Sequence, residues 1–304
     1  MKTFRKKPLR KASSKAQSAM EYLMTYGWAI LIISVVLAAL FQLGVFNPMT
    51  FAPKAPPGSC QVFRPNGPGT TSFINLEGVC SGELPQYVAQ FNGQSSYITV
   101  GNSLSLSPST FTLVGWIKFF QNKNWMLIQR GIGFNPNVYY IYGDYVTAGS
   151  SGNPPVCSIF NSTSVRYDTF FGTLTLGQWY FLACTLNSTG IISTYVNGVL
   201  KNENQMKGFF GANAYPLWIG QSQVGGWFIN GSIANVQIYN TSLSANEIQA
   251  LYLEGIGGAP INLQHLVAWW PLNGNANDYS GNGNNGVPIN VIYVSNWYSG
   301  YTPP

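Results

Sequence analysis

The chain is poor in charge. Of its 304 residues only 8% are Asp, Glu, Lys or Arg, and His265 is its single histidine. One histidine and no cluster at zinc-ligand spacing exclude a metal-dependent hydrolase of the zinc type. Beyond the N-terminal segment the acids are Glu77, Glu83, Asp144, Asp168, Glu203, Glu247, Glu254 and Asp278, and no two lie within five residues of each other. No single strand can therefore present the two carboxyls, about 5 to 9.5 Å apart, that glycoside hydrolysis uses. A glycoside hydrolase with carboxyls converging from separate strands stays as the remote alternative. Basic residues are scarce too, and badly placed for nucleic acid. Seven of the 15 fall within the first 15 residues, which leaves eight against nine acids for the rest of the chain. Without a basic face for phosphates, nucleic acid is excluded as a partner.

What remains is aromatic and uncharged. Phe, Trp and Tyr make up 15% of the chain, too many for a disordered protein. From Tyr22 to Phe46 no residue is charged, which exceeds the roughly 20 residues needed to span a bilayer. The cations before it hold that flank in the cytoplasm and place everything after Asn47 outside. A cleaved secretory signal would have a shorter apolar core and a small-x-small site, and "VLAALFQLGVF" offers none. The reading is a retained single transmembrane helix. "NPMTFAPKAPPGS" (47 to 59) then reads as a semi-rigid Pro-rich spacer.

Glu21 stands at the lip of this run. "KAQSAMEYLMTYGWAILII" resembles the class III signal peptide of archaeal type IV pilin-like proteins, with a basic leader, a small residue, then Gln, and Glu at the fifth mature position. The resemblance implies cleavage between Ala16 and Gln17. It also implies that Glu21 neutralises the new α-amino group of a neighbouring pilin-like subunit in a filament. The alternative is an uncut signal anchor whose Glu21 complements the helix dipole.

The rest reads as short aromatic and β-branched strands: "YVAQF", "YITV", "FTLVGWIKFF", "WMLIQ", "VYYIY" and "QWYFLACTL", punctuated by Gly, Asn, Ser and Pro. Asn197-Gly198 predicts a tight hairpin. "LSANEIQALYLEG" predicts the one helix, with Ser244 and Glu247 as a capping box, Leu243 stapling onto Ile248, and Gly255 ending it. Trp116 and Trp179, inside strand motifs, are assigned to the core. Trp125, Trp227 and Trp297 border polar loops and are candidates to stack on sugar rings or partner chains.

The motifs "AQFNGQSSYITVGNS", "FTLVGWIKF", "GQWYFLACTLNSTGIISTYVNGVL" and "FINGSIANVQIYNTSLSANEIQALY" resemble the LamG-like jellyroll family of the concanavalin A-like superfamily. The resemblance implies a mainly β sandwich with one short helix. Many relatives carry an acidic pair where this chain has Ile233-Ala234-Asn235-Val236, which weakens any transfer of their Ca²⁺ site. In the loop "NGNANDYSGNGNNG" Asp278 is the one candidate metal ligand, for Ca²⁺. Its alternative role is a hydrogen bond to its own turn, and no cofactor is expected.

A stretch that usually precedes the "FNG" motif in this family, "LVAWWPLNGNANDYSGNGNNG", here follows the helix. Leu266 to Leu272 is predicted to pair antiparallel with Ile233 to Tyr239, one of Trp269 and Trp270 facing inward. Four cysteines fit an oxidising exterior and allow three connectivities. Cys157 with Cys184 is predicted because their runs read as neighbouring antiparallel strands, and Cys60 with Cys80 because they bracket a Pro/Gly-rich loop. Asn161, Asn187, Asn230 and Asn240 each begin a glycosylation sequon.

The expected order is a leader (1–16), helix (17–46), linker (47–59), disulfide loop (60–86), jellyroll (87–258) and a C-terminal segment (259–304) supplying an edge strand. The expected function is non-enzymatic recognition of a surface glycan or protein, anchored at the membrane or built into a filament. The rival is a structural pilin-like subunit whose jellyroll merely coats the filament.

Overall fold

The computed structural model describes residues 14–42, 55–67, 70–78, 84–102, 110–121, 123–133, 135–143, 154–211, 213–223 and 226–304, with side chains at 24, 26–40 and from 84 onward. The chain divides into two compact units, Met1–Ala55 and Pro56–Pro304. Their boundary falls inside the Pro-rich spacer.

The first unit contains helix α1, Ser14–Gln42. At 1.5 Å per residue its 29 residues are about 43 Å long. Trp28, Ile30, Leu31, Ile32, Ile33, Val35, Val36 and Leu37 are all exposed on it. Among the described residues no helix is long and apolar enough to cross a membrane. The side chains described here, 26 to 40, are fewer than the about 20 residues a span requires. The side chains of Ala16, Gln17 and Glu21 lie outside the described residues.

The second unit opens with a two-stranded sheet of β1 (Ala55–Gly67) and β2 (Thr70–Gly78). Strands thus occupy much of the segment expected as a loop. Two larger antiparallel sheets follow. One contains β3 (Val88–Asn92), β5 (Phe111–Phe119), β10 (Tyr180–Leu186), β11 (Ile191–Val196), β12 (Val199–Gln205), β14 (Asn230–Tyr239), β15 (Leu266–Trp270) and β17 (Ile292–Val294). Its order is β12-β11-β10-β5-β14-β3-β17, and β15 also pairs with β14. The other is built from β4 (Tyr97–Val100), β6 (Trp125–Arg130), β7 (Tyr139–Gly143), β8 (Val156–Phe160), β9 (Arg166–Phe170), β13 (Leu217–Ile219) and β16 (Gly286–Ile289). Its order is β16-β4-β13-β6-β7-β8-β9. This is the mainly β sandwich with one short helix that the motifs implied.

Alternation along the strands decides what lies between the sheets. Phe111, Leu113, Ile117 and Phe119 of β5 enter the main core with Tyr139, Ile141, Cys157 and Ile159 of the other sheet. Val114 and Trp116 enter a second core on the opposite face. That core is covered by helix α2 (Ala245–Leu253) and the C-terminal tail, through Ile248, Leu251 and Trp297. With both faces covered, all nine residues of β5 are buried, and such a strand reads as a near-continuous apolar run. α2 has the predicted capping box between Ser244 and Glu247. Leu243 and Ile248 lie in the same core, and Gly255 follows in the left-handed region at φ 81°.

The C-terminal segment supplies more than one edge strand. β15 pairs with β14 from Val236↔Trp270 to Tyr239↔Leu266, beside the half of β14 that β3 leaves free. It ends at Trp270, two residues short of the predicted Leu272, because Pro271 has no N–H for the ladder. Trp270 is fully buried in the main core, and Trp269 packs on the second. β16 then joins the edge of the seven-stranded sheet and β17 that of the eight-stranded sheet.

Cys157 and Cys184 form the predicted disulfide, with Cα atoms 6.3 Å apart. The reason differs from the one expected. β8 and β10 are not neighbours; they belong to opposite sheets, and the bond crosses the core between them. The pairing of Cys60 with Cys80 lies outside the described residues.

Candidate functional site

The two outer faces of the sandwich differ. That of the eight-stranded sheet is covered by α2 and the tail, whereas among the described residues that of the seven-stranded sheet carries a small cluster of Met126, Val138, Tyr140, Tyr142, Val156 and Phe160. Strand register sets a row of side chains across it. Thr99 of β4 opposes Trp218 of β13, Trp218 opposes Gln129 of β6, and Gln129 opposes Tyr140 of β7. Tyr140 opposes Ser158 of β8, which opposes Asp168 of β9. Five strand spacings of about 4.8 Å make this row about 24 Å long. Hydroxyl, indole, amide, phenol, hydroxyl and carboxylate follow one another along it.

A loop crosses the middle of the row. Gln223 N donates to Gln129 Oε1 at 3.0 Å, Gln129 Nε2 donates to Gly131 O at 2.8 Å, and Gln221 bridges to Phe228. The loop places Trp227 on Tyr142, ring centroids 5.4 Å apart and 25° from parallel. Trp218, Trp227 and Tyr215 are each half-buried, so part of every ring meets solvent. Gln221 Oε1 and Gln223 Oε1 are buried acceptors with no donor among the described residues. Buried acceptors of this kind are ordinarily met by water or by the donor of a bound group.

The far end of the row is ordered by charge. Arg166 Nε lies 2.7 Å from Asp168 Oδ1, with side chains about one-third exposed. Ser158 Oγ donates to the same carboxylate, Arg166 Nη2 donates to Tyr142 Oη, and the guanidinium lies over the Tyr142 ring. Burial pushes the Tyr140 and Tyr142 phenols above their ordinary range, so both stay neutral at physiological pH. The face combines flat aromatic surface with neutral hydrogen-bonding groups, and the one carboxylate in the row is neutralised.

A model of the laminin G-like domain within the concanavalin A-like lectin/glucanases superfamily matches residues 92–249, just over half of the chain. The chain belongs to that superfamily. No curated protein matches the chain in sequence. Two solved structures share the fold of this superfamily member at low identity. The SAP-like heptameric pentraxin of Limulus polyphemus is 15% identical, TM-score 0.52, over 69% of this chain and 94% of the pentraxin. A candidate carbohydrate-binding protein of Bacteroides ovatus is 17% identical, TM-score 0.54, over 74% of this chain and 64% of its own.

Several residues singled out in the sequence prove structural in this concanavalin A-like fold. Trp116 and Trp179 are in the second core as assigned, but Trp125 and Trp297 are each only 1% exposed. These two are removed as stacking platforms: Trp125 packs on Phe119, and Trp297 Nε1 donates to Pro85 O. Trp227 alone of the three borders solvent. Asp278 organises its own loop, the alternative role named for it. Its Oδ1 accepts from Trp269 N and Ser280 N, and its Oδ2 accepts from Asn284 N. Among the described residues no three metal-ligating side chains cluster. His265 closes a short turn and shares a 3.0 Å hydrogen bond with Asn240.

The sequons also separate. Asn161 is only 4% exposed and its Nδ2 donates to Lys207 O. Asn230 sits half-buried at the start of β14, with Ser232 of its sequon buried. Asn240 is exposed and Asn187 half-exposed. Sequence reading missed Trp218, Tyr140 and Ser158, because a row that crosses six strands has no local spacing. Only register assembles it.

Proposed function

We propose that this concanavalin A-like protein is a non-enzymatic recognition module that binds glycan chains on the outer face of its seven-stranded sheet. The observation that carries this reading is the row from Thr99 to Asp168, which contains half-buried Trp218 and is flanked by half-buried Trp227. A pyranose has apolar C–H faces and a rim of hydroxyls. The former suit indole faces, and the latter suit amide, hydroxyl and phenol groups and the two buried glutamine oxygens. The candidate carbohydrate-binding protein of similar fold agrees with this but does not carry it.

Support for a non-catalytic role comes from the carboxylates. Asp168 is tied to Arg166 and Ser158, Glu203 to Ser193, Glu247 to Ser244 and Asn262, and Asp278 to three N–H groups. Each of these four is held by donors on its own element or the next, and none of them is left as a free proton donor facing the row. The charge-free stretch from Tyr22 to Phe46 and the exposed apolar side chains of α1 support display from a membrane or from a filament of pilin-like subunits.

A glycan array probed with the full chain tests the reading. Retention of neutral polysaccharides, reduced at least tenfold in Trp218→Ala and Trp227→Ala, is the expected outcome. No retention on any glycan by a folded chain would leave the rival, a coat-forming filament subunit.

A further inference from the structure

Four asparagines begin a sequon, and the fold separates them by what it does with each amide nitrogen. At Asn161 the nitrogen is occupied: Nδ2 donates to Lys207 O at 2.8 Å, and the residue is 4% exposed. At Asn230 the approach is crowded. A Cβ added to Gly93 would stand 2.7 Å from Asn230 Cβ, and Ser232, which carries the hydroxyl of that sequon, is 2% exposed.

Asn187 and Asn240 are held by their oxygens instead. Asn187 Oδ1 accepts from Thr189 N, Thr189 Oγ1 and Ile191 N at 2.8 to 3.0 Å. Asn240 Oδ1 bonds to His265 Nδ1 at 3.0 Å. The oxygen and nitrogen of an amide leave the same carbon in different directions, so fixing the oxygen turns the donor nitrogen away from those partners. Neither Nδ2 has an acceptor among the described residues. Asn240 and Thr189 are exposed, and Asn187 and Ser242 are partly exposed.

Both nitrogens stand on one rim of the eight-stranded sheet. Asn187 follows β10, whose Leu186 opposes Phe111, and Asn240 follows β14, whose Tyr239 opposes Thr112. Only β5 separates the two strands, so two spacings of about 4.8 Å set the asparagines about 10 Å apart. Asn230 belongs to the opposite rim, where Gly231 opposes Phe119 at the far end of β5. Asn161 follows β8, the strand of the other sheet that carries Ser158 of the row.

We propose that Asn187 and Asn240 of the folded chain carry N-linked glycans and that Asn161 and Asn230 carry none. The donor is an oligosaccharide joined to a lipid through phosphate, and the acceptor atom is Nδ2. A bond forms between Nδ2 and the anomeric carbon while the bond from that carbon to the phosphate oxygen breaks. The lipid phosphate leaves with the electron pair, and one amide proton passes to a base of the transferase. Both glycans stand on the eight-stranded sheet and not on the face that bears the row from Thr99 to Asp168. The proposal rests on display of the second unit outside the membrane, and not on what the row binds.

The test is glycopeptide mass spectrometry of the native full chain, after biotin labelling of intact cells has examined display. Peptides containing Asn187 and Asn240 are expected to carry the glycan mass, and those containing Asn161 and Asn230 to be bare. Thr189→Ala and Ser242→Ala should each remove one glycan, seen as one step in electrophoretic mobility. Thr189→Ser, which restores the hydroxyl, should keep it; this separates loss of the sequon from a folding defect. A displayed chain bare at both sites overturns the proposal and spares display. A glycan at Asn161 or Asn230 also overturns it, as do glycans that persist in both hydroxyl variants. A chain that intact cells never label overturns display, and the proposal with it.

Discussion

Two sequons are the same turn built twice. In "NSTSV" (161–165) and "NSTGI" (187–191) the Asn Oδ1 accepts from the N–H and hydroxyl of the threonine and from the N–H four residues on. Ser164 and Gly190 occupy the left-handed region at φ 62° and 84°. Asn161→Ala is predicted to cost about 2 to 3 kcal/mol by leaving buried donors unpaired, and Asn187→Ala, at a half-exposed turn, nearer 1 kcal/mol. Denaturant titration measures both. Glycopeptide mass spectrometry of the native protein should find Asn161 bare, because its amide nitrogen is already bonded to Lys207 O; a glycan there would refute the argument. Lys118 makes a second residue-scale prediction. Burial lowers its ammonium to about 8, against about 10.4 in an unfolded chain. Between those values the unfolded chain keeps a proton that the folded chain has released, so stability rises with pH. Below pH 8 both forms are protonated and the slope vanishes. Above about pH 10 the trend reverses, since burial raises Tyr139, Tyr140, Tyr239 and Tyr293 and only the unfolded phenols ionise. Unfolding free energies between pH 7 and 11 should show that maximum, and Lys118→Met should erase the rise toward it.

At the scale of elements, the three strands after Gly258 are the test of the fold. β15 inserts Ala268 and Trp270 into the main core, β16 and β17 cover one edge of each sheet, and Trp297 fills the second core. Truncation after Gly258 is therefore predicted to leave the sandwich insoluble or grossly destabilised, with two edges and a tryptophan cavity open to solvent. Trp270→Ala alone should cost about 3 to 5 kcal/mol. A truncated chain that melts like the full one would reduce the tail to an appendage. Much of this was legible. Strands such as "FTLVGWIKF" and "YITV", the Asn197-Gly198 hairpin and the α2 capping box are local patterns, and local patterns survive without knowledge of neighbours. β9 "RYDTF" and β13 "LWI" were not: the first is polar on its exposed face and the second has three residues, so neither carries a period. The same limit hid the candidate site. Trp218 and Tyr140 lie 78 positions apart in sequence but two strands apart in the sheet, and the choice of Trp125 and Trp297 as exposed rings failed because proximity to a loop says nothing of the face a side chain takes.

At the scale of the whole molecule, the described residues include one disulfide, which crosses the core of the sandwich, and an apolar helix. The Cys157–Cys184 bond closes a separation of 27 residues between opposite sheets, which restricts the unfolded chain by about 3.5 kcal/mol. Cys157→Ser with Cys184→Ser should lower stability by about that amount, as should reduction, when followed by urea titration. A disulfide of this kind suits an oxidising compartment. The exposed Ile, Leu and Val side chains of α1 form an apolar surface that would suit an apolar partner, such as lipid or the same helix in other copies. In a lipid anchor Glu21 is an isolated carboxylate two turns beyond the start of α1 at Ser14, outside the first turn where the helix dipole would favour it, and replaceable at little cost. In a filament it faces a charge that exists only after the Ala16–Gln17 bond is cut, because the new α-amino group must be neutralised in an apolar bundle. The two states give different results for one variant. If the mature chain begins at Gln17, Glu21→Ala should insert into membranes as wild type does and yet fail to enter filaments, seen as loss from the sheared surface fraction. Mass spectrometry of the native N-terminus decides the premise. An intact Met1–Ala16 segment in envelope preparations would leave no amine for Glu21 to pair with, and would favour α1 as a plain anchor for the sandwich.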